Sequence, residues 1–214
     1  MKGLFITFEG IDGGGKSTQL HLAAQALREA GLDVVETREP GGTVLAEKVR
    51  ELVLDPALPM TAVTQTLMYL AARSEHIDKL IRPALQAGKI VLCDRFSDST
   101  FVYQGLAQGK KISELQNLRE LNSFACGGIA PDMTLLFDGS PEALLSRREQ
   151  RGVSDRYELA GLDFQKKLRA GFFAIAKAEP ERVKLVNAEN TKEQVLAEVM
   201  QYIGSLRSED KKDV

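Results

Sequence analysis

Short apolar runs alternate along this chain with longer stretches whose apolar residues recur every three to four positions. Residues 4–8 read as a strand, 17–30 as a helix and 33–37 as a second strand, with mostly helical material from there to about Gly88. In the first helix Leu20, Ala23, Ala24 and Leu27 make the apolar stripe, and Gly31 is placed to stop it. Further strands are predicted at 90–93, 133–137 and 183–186, five in all, each short and apolar enough to be buried on both faces. Helices are predicted at 62–87, 112–124, 141–150, 163–178 and 191–206. Such alternation predicts an α/β fold: a five-stranded, doubly wound parallel sheet flanked by helices.

At 214 residues and 43% hydrophobic side chains, the chain can bury one substantial core and is short for a second domain. One domain over 1–207 is therefore expected, without repeat or linker. The charged run at 208–214 lacks periodicity and is expected to be frayed and solvated. The 28 Lys and Arg nearly cancel the 30 Asp and Glu, so no overall basic field draws the chain to nucleic acid or an anionic membrane. An anionic ligand must be gripped locally. Cys93 and Cys126 have no metal-ligand spacing, and Cys93 sits in an apolar run, where a small buried thiol in a reducing compartment is the plain reading. The start has too few apolar residues before Glu9 for a signal-peptide core, and nowhere do about 18 uncharged apolar residues follow one another. A soluble, cytoplasmic protein is expected.

One segment carries explicit chemistry. Gly10, Ile11, Asp12, Gly13, Gly14, Gly15, Lys16 and Ser17 match G-x-x-x-x-G-K-[ST], directly after a strand and directly before a helix. The glycines let the backbone turn tightly, so that several N–H groups point at one anion and the helix adds its positive end. Lys16 supplies a point charge for the β- and γ-phosphates, and the Ser17 hydroxyl suits Mg²⁺; Thr18 continues the nucleotide-binding set. ATP with magnesium is the expected ligand. The loop alone does not separate a kinase from a switch GTPase or a motor ATPase.

Other residues bear on that choice. Arg38 lies on a turn at the carboxyl end of the second strand, where ligands bind in open α/β sheets, and can clamp a phosphate bidentately. Asp94 and Arg95 end the third strand, bringing a carboxylate to the metal and a second guanidinium beside the first. Tyr69 and Arg73, four apart, share a helix face and can address one ligand. Arg147, Arg148, Arg151 and Arg156 crowd a stretch through Gly152 that reads as a mobile lid over about 147–158. Each feature also has a plainer reading: a surface arginine, a structural ion pair, a core aromatic, a solvated basic face. His21 and His76 read as polar packing.

EGIDGGGKST, TREPGGT, the RSEH after Tyr69, DRFSDSTFVYQG and RGVSDRYE, in this order and spacing, closely resemble the thymidylate kinase family from about Leu4 to Asn190. The resemblance implies a P-loop kinase fold of the nucleoside monophosphate kinase kind, usually a homodimer. It implies transfer of the γ-phosphoryl group of ATP to thymidine monophosphate (dTMP), giving dTDP and ADP for dTTP biosynthesis. By the same resemblance Asp12 meets the acceptor's 3′-hydroxyl, Arg38 and Arg95 hold its phosphate, and Glu9 and Asp94 lie near the metal and its waters. Tyr69 takes the place of the aromatic that stacks on thymine, often phenylalanine in the family; Arg73, Thr100 and Gln104 read the base edge. Tyr103 crowds the sugar's 2′ position, with Ser99 in support. Some members carry a catalytic arginine in the P-loop. Here Gly13, Gly14 and Gly15 stand there, so the positive charge is expected from the lid, with Arg147, Arg151 and Arg156 as candidates, the bacterial-type arrangement. The turn at 187–190 is expected to meet adenine, and Phe96 departs from a frequent tyrosine.

Two competing readings remain. A kinase for another nucleotide or deoxynucleoside would keep the P-loop and arginines but change the group around Tyr69, Thr100 and Gln104. A P-loop switch would need a guanine-selecting N-K-x-D and a D-x-x-G after a strand, for which Asp138-Gly139 lacks the spacing.

Overall fold

A computed structural model of the chain describes residues 3–109, 115–149 and 161–210, without the side chains of 148–149 and 208–210. Five strands, β1 (Leu4–Glu9), β2 (Val34–Arg38), β3 (Ile90–Asp94), β4 (Met133–Asp138) and β5 (Val183–Asn187), form one parallel sheet in the order β2-β3-β1-β4-β5. Between and after them run α1 (Lys16–Glu29), α2 (Val44–Leu54), α3 (Ala62–His76), α4 (Arg82–Gln86), α5 (Ser97–Gln104), α6 (Gln116–Cys126), α7 (Pro141–Glu149), α8 (Gly161–Ala178) and α9 (Lys192–Asp210). A π-helical turn, Ile77–Ile81, joins α3 to α4 without a break.

β1 sits in the middle, with β3 on one side and β4 on the other, so the chain reverses its lateral progress there. A crevice opens outside the carboxyl end of β1, the usual ligand position in such sheets. Register then decides which side chains meet at that end: Asp94 pairs with both Phe8 and Arg38, and Glu9 pairs with Leu136.

The core is two-sided. On one face Phe8, Leu135, Leu92 and Ile6 pack against Leu20 and Ala24 of α1, Leu168 of α8 and Val199 of α9. On the other Phe5, Val91 and Cys93 pack with Phe96, Ile77 and Ile81. Alternate pointing of strand side chains to opposite faces produces this division. Full burial holds for β1 and for all but the last residue of β3 and of β4, but the expectation of five doubly buried strands fails at the edges. β2 is only half-buried and Leu185 of β5 is exposed, because an edge strand lacks one neighbour.

Two other elements differ from the sequence reading. α5 is a separate helix in a polar segment, and its capping group lies far away in sequence, as described below. α9 continues to Asp210, three residues into the run expected to fray.

Candidate active site

The P-loop glycines are required by geometry. Gly10, Gly13 and Gly15 have φ of +131°, +88° and +81°, the left-handed half of conformational space. A Cβ on Gly10 would meet the Phe137 carbonyl oxygen at 2.4 Å, and one on Gly13 the Leu144 carbonyl oxygen at 2.1 Å. Ile11 anchors the loop in the core, Gly14 is buried, and Thr18 is exposed on the first turn of α1. Lys16 is buried, donates to the Ile11 carbonyl at 2.9 Å and lies 3.8 Å from Asp12. Burial, reinforced by the charge of Arg95, lowers its pKa to about 8.

The Ser17 hydroxyl donates to Asp94 Oδ2, so the first turn of α1 and the end of β3 meet as the motif requires. A hydroxyl and a carboxylate oxygen beside a phosphate nest suit Mg²⁺, which keeps several waters and takes few protein ligands. Among the described residues no three His, Cys, Asp or Glu converge as a protein metal cage.

Glu9, expected beside the metal, has its oxygens engaged elsewhere. It is fully buried; Oε1 accepts from the backbone N–H groups of Phe96 at 2.8 Å and Ser99 at 3.1 Å, and Oε2 accepts from the Ser99 hydroxyl at 2.6 Å. It thereby caps the N-terminus of α5. Burial raises its pKa to about 7, against the opposing pull of Arg95.

A cleft of about 370 Å³ runs from the P-loop and is lined by Asp12, Lys16, Ser17, Arg38, Tyr69, Arg73, Asp94, Arg95, Ser99, Thr100, Tyr103 and Gln104. The sequence-predicted acceptor residues thus converge. Arg95 donates to Asp12 Oδ1 at 2.6 Å and to the Ser99 hydroxyl at 3.1 Å, and its guanidinium lies 5.2 Å from the Tyr103 ring centroid. Its backbone φ of +69° is strained for a non-glycine residue, the kind of cost retained at functional sites. Arg38 donates to Glu47 at 2.9 Å. Arg95 and Arg38 are therefore each balanced by a carboxylate.

Arg50 and Glu39 also line the cleft and were not singled out in the sequence. Arg50 donates to the Pro40 carbonyl at 3.0 Å, making a third cation beside Arg38. Its position on α2, three residues after Glu47, was the available signal. Glu39 is buried and accepts from Arg73 Nε at 2.7 Å and from His76 Nδ1 at 3.0 Å, with Thr37 2.7 Å from the other His76 nitrogen. His76 is thus packed polar structure as expected, whereas His21 stands at the surface beside Glu36. Arg73 Nη1 donates to Thr100 Oγ1 at 2.9 Å and to Asn122 Oδ1 at 2.5 Å, and Asn122 too was missed. Cys93 is buried and free, and burial pushes its thiol well above the ordinary value.

At the other end, Arg147 donates to the Ala188 carbonyl at 2.7 Å, tying α7 to the turn after β5 that was expected to meet adenine. Arg147 does not line the cleft described above, and Arg151 and Arg156 lie outside the described residues. Asp138 is held by Arg169 through two bonds of 2.7 and 2.9 Å, a structural pairing and not a switch.

A central-strand P-loop, a serine and aspartate joined at its mouth and an arginine-lined second cleft define a P-loop nucleoside monophosphate kinase. A family model described as thymidylate kinase matches residues 8–199. The thymidylate kinase of Symbiobacterium thermophilum is 43% identical over 201 residues, covering 94% of this chain and 92% of that protein. That of Pseudomonas fluorescens is 46% identical over 207 residues, covering 96% and 95%. A crystal structure of thymidylate kinase from Ehrlichia chaffeensis superposes with a TM-score of 0.76 at 37% identity, covering 95% of this chain and 99% of that one. The chain belongs to the thymidylate kinase family.

Proposed function

We propose that the protein transfers the γ-phosphoryl group of ATP to dTMP, giving dTDP and ADP, as a step in dTTP biosynthesis. The observation that carries this reading is the continuity of one cleft from Lys16 and Ser17, past Arg38 and Arg95, to Tyr69, Arg73, Thr100 and Gln104. Lys16 and the P-loop amides hold the donor phosphates, and Arg38 and Arg95 hold the acceptor phosphate. Ser17 and Asp94 would hold Mg²⁺, which would supply neutralisation of the charge that spreads over the transferring group. The acceptor oxygen is already anionic, so alignment and neutralisation suffice and no covalent intermediate is needed.

At the base end Tyr69 offers a ring for stacking, and Arg73 can only donate. A donor suits the 4-oxo group of thymine and mismatches the 4-amino group of cytosine, leaving a buried donor unpaired. Tyr103, against whose ring Arg95 lies, crowds the sugar, and Asp12 meets its 3′-hydroxyl. Lid charge comes from among Arg147, Arg151 and Arg156, of which Arg147 also donates to the Ala188 carbonyl.

The protein acts in the cytoplasm as a homodimer. Support for pairing is the exposed apolar surface of three helices: Leu45 and Leu52 on α2, Val63 and Leu67 on α3, Leu121 and Phe124 on α6. No helix among the described residues is long and apolar enough to cross a membrane.

The test is ADP formation from ATP and Mg²⁺ with thymidine, deoxyuridine, deoxycytidine, adenosine and guanosine monophosphates supplied singly. Fast turnover with dTMP is expected; a different preferred acceptor would overturn the base assignments while leaving the P-loop roles intact.

A further inference from the structure

α6 buries Leu118, Asn122, Ala125 and Cys126 against the body of the protein. On this otherwise apolar face Asn122 is only 4% exposed. Asparagine is a poor helix former, and a buried amide costs free energy unless its hydrogen bonds are made. A leucine would satisfy both requirements of the position better. The polar side chain is explained by its partner, because its Oδ1 accepts from Arg73 Nη1 at 2.5 Å.

Arg73 is clamped from three separate elements. Glu39, on the turn after β2, accepts from Nε at 2.7 Å and lies 2.7 Å from Nη2. Thr100 of α5 and Asn122 of α6 share Nη1, at 2.9 and 2.5 Å. The Phe96 ring lies against the guanidinium, 5.0 Å from its centre, and His76 fixes Glu39 in turn. A guanidinium carries five N–H donors, one on Nε and two on each Nη. With Nε and both Nη1 hydrogens assigned among the described residues, Nη2 is the nitrogen that retains a donor for the cleft.

We propose that Asn122 is a positioning residue for acceptor-base specificity: its side-chain carbonyl holds Arg73 so that a single Nη2 donor, and not the Nη1 pair, faces the base. The inference rests on the assignment of Arg73 to the base edge. Without the Asn122 acceptor, a buried Nη1–H lacks a partner, and the guanidinium turns about its Glu39 anchor toward whatever acceptor the cleft offers. Discrimination between 4-oxo and 4-amino pyrimidines weakens as a result.

Steady-state kinetics at saturating ATP, with thymidine and deoxycytidine monophosphates as acceptors, test this on wild type, Asn122→Leu and Asn122→Asp. Leucine preserves packing and removes the acceptor; aspartate keeps it. For Asn122→Leu the expected result is a KM for dTMP raised about tenfold, from the loss of one buried hydrogen bond to a charged group, and a preference over deoxycytidylate narrowed by a similar factor. The KM for ATP and kcat stay within about twofold of wild type, the pattern of lost acceptor binding. Asn122→Asp retains the wild-type KM and preference. Should Asn122→Leu fail to fold, Asn122→Ser, whose hydroxyl is too short to reach Arg73, carries the same expectations. Unchanged acceptor selectivity in the Leu or Ser variant overturns the proposal. So does equal impairment of Asn122→Asp, or a KM for ATP that rises together with that for dTMP. A wild-type enzyme that does not distinguish the two pyrimidines overturns the assignment of Arg73, and the proposal with it; discrimination in wild type that survives in Asn122→Leu overturns the proposal alone.

Discussion

The Ser99 hydroxyl donates to the buried carboxylate of Glu9 at 2.6 Å, and the Ser99 backbone N–H donates to the same group at 3.1 Å. This pairing joins the last residue of β1 to the first turn of α5, the helix that carries Thr100, Tyr103 and Gln104 into the cleft. A helix of eight residues is short for independent stability, so its capping group has a large share in its position.

The buried carboxyl gives a pH signature. Burial raises its pKa from the ordinary 4.5 to about 7. Below pH 4.5 folded and unfolded chains both hold the proton; between 4.5 and 7 the unfolded chain has released it while the folded one retains it. The contribution of Glu9 to stability is therefore fully present below pH 4.5 and declines as pH rises to about 7, by on the order of 3 kcal/mol. In urea titrations at stepped pH, the stability difference between wild type and Glu9→Gln should change sign or shrink across that window. A difference independent of pH would contradict the assignment.

Lys16→Met should lower kcat by roughly 10²–10³, comparable to the loss of a single preorganised group facing developing charge. Because removal of Lys16 relieves the burial of a charge, the melting temperature should not fall. A stopped-flow single-turnover measurement beside a thermal melt separates the two effects.

Gly13→Ala places a methyl group 2.1 Å from the Leu144 carbonyl oxygen at a φ of +88°, so the loop must shift. Loss of stability of roughly 1–3 kcal/mol and loss of ATP affinity are expected together. Calorimetric binding of ATP to the folded variant is the check, and wild-type affinity would sink the close-approach argument.

Arg38→Ala should raise the KM for dTMP about 10- to 100-fold, the worth of a charge-assisted pair to phosphate, while leaving the KM for ATP near its wild-type value. Equal effects on both substrates would place Arg38 outside the acceptor phosphate site.

Chelation of divalent cations should abolish turnover, and Mg²⁺ should restore it. The Ser17→Ala variant should need more Mg²⁺ for half-maximal rate, since the hydroxyl beside Asp94 is one of the oxygens offered to the ion.

The sequence alone determined the order and type of most elements, because hydrophobic period and glycine placement are local. It also determined the P-loop, since all its groups lie within eight consecutive residues and the turn follows from their backbone freedom. Position at strand ends and on one helix face singled out Arg38, Arg95, Tyr69 and Arg73, and the resemblance added Thr100, Tyr103 and Gln104; the fold brings all seven to one cleft. Tertiary structure decided what depends on contacts distant in sequence. Glu9 acts as a helix cap because its partner Ser99 is 90 residues away, and Asn122 meets Arg73 across 49. Edge exposure of β2 and β5 follows from strand order, which pattern along the chain does not encode. Glu39 and Arg50 likewise join the cleft only because parallel register brings the end of β2 beside Asp94. Local patterns report which surface of a segment wants burial, while long-range packing alone decides which buried polar group finds which partner.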